Sequence, residues 1–255
     1  MTQAELKERW LLEEQDAHIR GWDFSHINGR YQEEDDLPWD YKKVILESLQ
    51  PEHRLLDLDT GGGEFLLSLG HPFKNTAATE GYPPNIDLCG EELLPLGIDF
   101  RPVCGNGALP FPDGSFDRII NRHGDFDPAE LFRLLKPGGL FITQQVGAEN
   151  DRELVELLLP GTKPPFPEQY LSIARKKLEQ AGFSILRGEE AFRPIVFYDV
   201  GALVWFARII QWEFPGFSVE KDLPRLLRAQ ELLERDGSLS GRIHRFLLVA
   251  QKPEQ

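Results

Sequence analysis

Short apolar runs alternate with segments of helical spacing along most of the chain. From Arg54 onward the runs are LLDLD, TAATE, DFRPV, DRIIN and LFITQQV, followed by FSILRG and, at residues 244–252, HRFLLVAQK. Because strands separated by helices are joined by right-handed crossovers, this alternation predicts an α/β fold. Its sheet is expected to be mostly parallel and covered by helices on both faces.

Helix signals lie between these runs. In FDPAELFRLLKPGG, Asp127 as N-cap, Pro128 at the first position and Glu130 three residues after the cap predict a capping box. The PGG of residues 137–139 is expected to stop this helix. The segment FPEQYLSIARKKLEQAG places its apolar residues on one face, which predicts a second helix.

The remaining segments predict the domain organisation. Residues 1–50 form an arm with an amphipathic helix, the aromatic piece GWDFS and a helix that begins near Pro38. Two interpretations of GWDFS stay open, a packing arm or a lid that contacts a ligand through Trp22, Asp23 and Phe24. Residues 51–255 form the main domain, with a helical insertion at about 192–241 that we expect to cap a substrate pocket.

Composition narrows the class of protein. The chain has 255 residues, 41% of them apolar, and a formal net charge of -14. No apolar run approaches the roughly 20 residues of a membrane span, and the charged N-terminus lacks the apolar region of a signal peptide, so we expect a cytoplasmic protein. The acidic charge opposes the phosphate backbone and therefore disfavours a nucleic acid partner. No pattern indicates the oligomeric state.

Cysteine and histidine usage adds two exclusions. Cys89 and Cys104 are the only cysteines, so no disulfide framework or multi-cysteine metal site can form. The histidines show no metal-ligand spacing with one another or with cysteine, and we therefore expect no metal.

Candidate chemistry lies in LLDLDTGGGEFLLSL, residues 55–69, where an apolar strand runs into three glycines and an apolar helix. Glycines allow positive φ and close approach of a ligand to a helix N-terminus. Asp57 at the strand end is suited to hydrogen bonds from a polar cofactor group or from the loop amides. Glu80, about 20 residues further on, ends a second strand, where a carboxylate can hold a ribose diol.

These residues resemble the class I S-adenosylmethionine-dependent methyltransferases (type 11-like) over about residues 54–147. The acidic residue and the glycines of that family's loop match Asp57, Gly61 and Gly63, while Asp59 stands at the first glycine position. GNGALPFPDGSFD and LKPGGLFITQQV are similar to later segments of the family. The resemblance implies a Rossmann-like open sheet of about seven strands whose last strand is antiparallel. It also implies S-adenosyl-L-methionine as cofactor.

Two segments are candidate lids over a ligand, GWDFS and the helical insertion at about 192–241. Their aromatic content favours a small-molecule, partly apolar methyl acceptor. The residues that the resemblance places at the cofactor are Asp57, Asp59, Thr60, Gly61, Gly63, Glu80, Gly81, Tyr82, Asn106, Ala108, Leu109 and Asn121.

Three alternatives stand beside this interpretation. A dinucleotide dehydrogenase requires G-x-G-x-x-G, and Leu66 occupies the place of the last glycine. A Walker-type phosphate loop requires Gly-Lys-Ser/Thr, which does not follow these glycines. A cofactor-binding sensor or scaffold without turnover is the third.

Candidate catalytic residues follow the predicted strand DRIIN. His123 lies at the carboxyl end of this strand, where reacting groups gather in open α/β sheets, and is suited to act as a base because its neutral form titrates near neutral pH. Arg122 is suited to clamp a substrate carboxylate or phosphate. Of Gln144 and Gln145, one is expected to face the crevice, and the sequence leaves open which.

Overall fold

The structure, a computed structural model, describes residues 1–19, 23–33, 36–104 and 108–254. Within these residues the chain forms eight strands and nine α-helices. The strands are β1 (Tyr31–Glu33), β2 (Leu55–Leu58), β3 (Thr76–Glu80), β4 (Asp99–Pro102), β5 (Phe116–Arg122), β6 (Leu135–Val146), β7 (Ser184–Phe197) and β8 (Leu239–Gln251). The helices are α1 (Gln3–Gln15), α2 (Tyr41–Ser48), α3 (Glu64–Ser68), α4 (Pro83–Glu92), α5 (Pro128–Leu134), α6 (Arg152–Leu158), α7 (Leu171–Gln180), α8 (Val200–Ile209) and α9 (Val219–Asp236).

The strands form one sheet in the order β1-β7-β8-β6-β5-β2-β3-β4. Neighbouring strands from β6 through β4 pair in parallel, whereas β8 pairs antiparallel with β6. The predicted α/β class, with a mostly parallel sheet and an antiparallel last strand, is confirmed. The sheet has one strand more than the seven expected, because the short β1 pairs antiparallel with β7.

The chain divides into two compact units. The first, here called the helical unit, comprises Met1–Leu37, Gly147–Glu168 and Ala191–His244. The second, here called the sheet unit, comprises Pro38–Val146, Gln169–Glu190 and Arg245–Gln255. The division predicted from the sequence, an arm followed by a main domain with an insertion, stays a prediction.

The core of the sheet unit follows from the apolar runs of its strands. Both Leu55 and Leu56 of β2 are fully buried, as a strand covered on both faces requires. Side chains of α5 and α7 complete this core through Leu131, Leu134 and Leu178. Burial on this scale is the main source of stability for a sheet of short strands.

The helical unit has its own core, built around α8. All residues of α8 from Val200 to Ala207 are buried, because the sequence VGALVWFA is apolar on every face of the helix. Leu6 and Trp10 of α1 pack in the same core, as the amphipathic spacing predicts. Among the described residues, no helix combines the length and the apolar character that a membrane span requires.

Two local expectations are wrong. Asp127 caps α5 by accepting from the amide of Ala129, but Glu130 does not complete a capping box. Its carboxylate instead accepts a hydrogen bond from the amide of Leu109 at 2.6 Å and pairs with Arg133. The helix expected from Pro38 begins three residues later, at Tyr41 with Asp40 as N-cap.

Candidate active site

The candidate site lies in the sheet unit at the point where the strand order reverses. From β2 the chain adds β3 and β4 on one side, and then β5 and β6 on the other. Ligands of open α/β sheets bind at such a switch point, outside the carboxyl ends of the strands. The loops after β2 and β5 meet there: a Cβ on Gly124 would lie 2.7 Å from Oδ2 of Asp59.

The glycine loop after β2 has the backbone that the sequence predicts. Asp59 (φ 53°), Gly61 (φ 66°) and Gly63 (φ 86°) adopt left-handed conformations, and the Thr60 amide donates to the carbonyl of Thr79 at 3.0 Å. Asp is one of the residues that tolerate this conformation, so the turn forms with Asp59 at the first glycine position. A Cβ on Gly61 would meet no atom of the described residues within 4 Å, so within that part of the chain space lies open against the loop.

Glu80 ends β3 with its side chain turned toward this loop. The residue is only 5% exposed, and its Oε2 accepts the amide hydrogen of Gly61 at 2.7 Å. Its Oε1 accepts from the amides of Gly81 and Tyr82 at 2.8 and 2.9 Å. Three backbone donors therefore fix the carboxylate beside the open face of Gly61. Each carboxylate oxygen has two acceptor sites, and among the described residues Oε2 is otherwise approached only by the Asn85 amide at 3.5 Å, so it keeps room for a ligand donor.

Two further carboxylates stand at the end of β2. Burial raises the pKa of Asp57 to about 7, although the hydrogen bond that its Oδ2 accepts from Thr60 Oγ1 at 2.7 Å acts in the opposite direction. Burial and the nearby charge of Glu80 raise the pKa of Asp59 to about 6. When ionised, these carboxylates favour a positively charged ligand.

Asn121, expected at the cofactor, is fully buried and joins three strands. Its Nδ2 donates to the carbonyl of Leu58 at 3.0 Å, and its Oδ1 accepts from Gln145 at 2.6 Å and from Thr143 at 3.3 Å. These contacts fix the ends of β2, β5 and β6 relative to one another. Gln145 is likewise buried and also donates to the carbonyl of Gly124 at 3.0 Å.

Arg122 and His123, the expected catalytic residues, both lie exposed at the end of β5. The guanidinium of Arg122 lies 4.8 Å from the ring centre of Phe65, which in turn stacks on Tyr41. His123 has a left-handed backbone with φ 65°. Although it is exposed, the surrounding protein desolvates its ring, and the positive charges of Arg245 and Arg122 add to this effect, so its pKa lies well below the usual value.

Two further residues contact His123 or its partner: Gln144, one of the two candidate glutamines, and Trp39, which sequence reasoning missed. Gln144 is half-buried, and its side chain Nε2 lies 3.4 Å from Nε2 of His123. The indole Nε1 of the buried Trp39 donates to Oε1 of Gln144 at 2.7 Å. Gln144 thus contacts the ring of His123, whereas Gln145 contacts Asn121, and which of the two faces the crevice stays a prediction. No local motif marks Trp39, because its partner is 105 residues away.

The remaining predicted positions flank the same edge of the sheet. Tyr82 is 62% exposed beside Glu80, and Ala108 is exposed. The segment of Leu109 is anchored to α5, since its amide donates to Glu130 and its carbonyl accepts from Arg133. Asn106 lies outside the described residues, as does Trp22. Within the described residues, no three His, Cys, Asp or Glu side chains are grouped to hold a metal.

The sequence is similar to those of known methyltransferases. Residues 56–143 match the model of a family described as methyltransferase domain. The chain is 32% identical over 117 residues to the demethylmenaquinone methyltransferase of Thermus thermophilus, covering 42% of this chain and 53% of that protein. It is 29% identical over 136 residues to the ubiquinone/menaquinone biosynthesis C-methyltransferase UbiE of Pasteurella multocida, covering 46% and 51%. The chain thus spans about half the length of these curated relatives.

A solved structure supports the fold. A candidate methyltransferase from Bacillus halodurans superimposes with a TM-score of 0.58 at 22% identity, covering 84% of this chain and 99% of that one. The matched family segment runs from β2 to β6 and includes the glycine loop, Glu80 and the end of β5. Residues 56–143 therefore match a methyltransferase domain, which supports a methyltransferase of the class I S-adenosylmethionine-dependent kind.

Proposed function

We propose that this chain transfers a methyl group from S-adenosylmethionine to a small-molecule acceptor at the switch point of the sheet unit. The observation that carries the proposal is the pairing of Glu80 with the Gly61 amide beside an open loop face. When bound, the cofactor supplies a methyl group on a positively charged sulfur. The protein has to bind it, orient the acceptor and exclude water.

The residues present fit that cofactor. Glu80, already fixed by three amides, is positioned to accept hydrogen bonds from the two ribose hydroxyls. The loop of residues 59–63 offers backbone groups and the carboxylate of Asp59 to the charged amino acid end. Tyr82 lies exposed next to Glu80, and we assign it, with Ala108 and Leu109, to the adenine.

The acceptor class is inferred from the relatives. The names of two curated relatives refer to menaquinone or ubiquinone synthesis, and both of those molecules are quinones with apolar substituents. We therefore propose a small aromatic acceptor of the hydroquinone type. The formal net charge of -14 supports a small molecule over a nucleic acid.

Calorimetric titration tests the cofactor site. Wild type is expected to bind both S-adenosylmethionine and S-adenosylhomocysteine. Glu80→Gln is expected to weaken binding by about 1.5 to 3 kcal/mol, because charge-assisted hydrogen bonds to the ribose are lost. That loss corresponds to a Kd about 10 to 150 times higher. Glu92→Gln, which changes an exposed carboxylate at the end of α4, serves as the matched control.

The outcomes test the cofactor assignment and the acceptor assignment independently. Wild type that binds neither compound overturns the proposal, as does a folded Glu80→Gln variant with an unchanged Kd. Transfer of labelled methyl from S-adenosylmethionine to a panel of reduced benzoquinones and naphthoquinones tests the acceptor class. Transfer only to molecules of another kind would overturn the hydroquinone assignment and leave the cofactor assignment standing.

A further inference from the structure

The contact between Trp39, Gln144 and His123 determines which ring nitrogen of His123 carries the proton. The indole N–H of Trp39 can only donate, and it points at the amide of Gln144 with a distance of 2.7 Å to Oε1. The oxygen of this amide must therefore face Trp39. Its NH2 group then faces Nε2 of His123, at 3.4 Å.

An amide NH2 group can only donate as well, so Nε2 of His123 must be the acceptor. In a neutral imidazole the proton then resides on Nδ1. A doubly protonated ring would place an N–H against the NH2 of Gln144, and the positive charges of Arg122 and Arg245 oppose that form further. The backbone supports the same arrangement, because the His123 amide donates to the carbonyl of Gln144 at 2.9 Å.

We propose that Trp39 and Gln144 are positioning residues that hold His123 neutral with its proton on Nδ1, so that His123 acts as a hydrogen-bond donor and not as a base. Among the described residues, no group accepts a hydrogen bond from Nδ1. This N–H is therefore available to a ligand. Its use in the reaction depends on the function proposed above, whereas the tautomer does not.

A hydrogen-bond donor role for His123 narrows the chemistry of the methyl acceptor. A base at this position would suit an acceptor that must lose a proton to His123. A hydrogen-bond donor at His123 suits a methyl acceptor that presents an oxygen lone pair to it. That oxygen is either a carbonyl or an anionic oxygen such as that of a hydroquinone anion. The base role expected for His123 from the sequence is replaced in this proposal by a donor role.

Nuclear magnetic resonance of the full chain labelled with 15N-histidine tests the proposal without cofactor or acceptor. Long-range proton–nitrogen correlation distinguishes the two tautomers and the imidazolium for each of the six histidines. The His123→Gln variant assigns the signals of His123. At pH 7.5 wild type is expected to show protonated Nδ1 and unprotonated Nε2.

Three variants test whether Trp39 and Gln144 set the protonation of the His123 ring or serve only the fold. Trp39→Phe keeps the ring but removes the N–H, so the amide of Gln144 can turn over, and the preference for the Nδ1 proton is expected to be lost. Gln144→Glu places a carboxylate oxygen against Nε2 and is expected to move the proton to Nε2 or to give the imidazolium. Tyr41→Phe is the control: its hydroxyl bonds the carbonyls of Asn121 and Ile142, so the tautomer should not change.

Wild type with its proton on Nε2, or fully protonated at pH 7.5, overturns the proposal. An unchanged tautomer in a folded Trp39→Phe protein also overturns the role of Trp39. If Trp39→Phe does not fold, Gln144→Glu decides, since an unchanged His123 in that variant would show that Gln144 does not control the ring. Failure of S-adenosylmethionine to bind would refute the proposed function and leave this result intact.

Discussion

Replacement of Asp57 by Asn is expected to stabilise the protein at neutral and alkaline pH. Asp57 is 4% exposed, and burial raises its pKa from 3.8 to about 7. Between these two pH values the folded protein keeps a proton that the unfolded chain has lost. Stability from this group is therefore highest near pH 4 and falls as the pH rises toward 7.

The size of the effect follows from the same two values. Each unit between the folded and unfolded pKa is worth about 1.4 kcal/mol, so with a pKa raised from 3.8 to about 7, full ionisation of Asp57 lowers the free energy of unfolding by on the order of 4 kcal/mol. Asp57→Asn has nearly the same shape, and its amide oxygen can still accept the hydrogen bond from Thr60 Oγ1. The substitution therefore removes the charge and keeps this contact.

Denaturant unfolding from pH 4 to pH 9 measures this effect. The difference in unfolding free energy between Asp57→Asn and wild type should be small near pH 4, grow through the window and level off above pH 7. Asp87→Asn, at an exposed position on α4, is the matched control and should follow the wild-type profile. Parallel profiles for Asp57→Asn and wild type would refute the assigned burial of an ionisable Asp57.

Four further outcomes are expected. Gly124→Ala should lower the unfolding free energy by about 1 to 3 kcal/mol, because its Cβ would lie 2.7 Å from Asp59 Oδ2. Gly90→Ala lies inside α4, and its Cβ would meet no atom of the described residues within 4 Å, so this change should raise the unfolding free energy by about 0.5 to 1 kcal/mol. Changes of equal sign in the two variants would contradict this geometry. Trp205→Ala should cost about 3 to 5 kcal/mol in the same assay, since this side chain is 1% exposed. Calorimetry from pH 5 to 8 compares the Kd of S-adenosylmethionine, whose sulfur is charged, with the Kd of S-adenosylhomocysteine, whose sulfur is not. The preference for S-adenosylmethionine should grow with pH, because Asp57 and Asp59 ionise with pKa values of about 7 and 6. A constant ratio of the two Kd values would argue against the proximity of these carboxylates to the sulfur.

The sequence predicts those features that depend on local backbone chemistry. Strands β2 and β3 form from the apolar runs that contain Asp57 and Glu80. Gly61 and Gly63 after β2 adopt the left-handed conformations for which their residue type is suited. Because carboxyl ends of parallel strands lie at one edge, the approach of Glu80 to Gly61 also follows from the order of elements.

Features that depend on pairing over long distances could not be predicted in this way. Glu130 matches the local pattern of a capping box, but its carboxylate instead accepts hydrogen bonds from Arg133 and from the amide of Leu109. The short β1 has too few residues for an alternating pattern and forms because β7 extends to Phe197, well beyond the strand expected in FSILRG. In both cases tertiary contacts override a weak local preference.

The same distinction explains why the role proposed for His123 differs from the role expected from its sequence position. A histidine after a β-strand of an open sheet is suited to be either donor or acceptor, and residue type alone does not separate the two. The choice is made by Gln144, which lies next to His123 only because β5 and β6 pair with Arg122 opposite Gln144. The orientation of Gln144 is in turn set by Trp39, which precedes α2. The protonation state of a candidate catalytic group is thus fixed by a donor-only side chain remote in sequence, and a fold-level resemblance does not specify it.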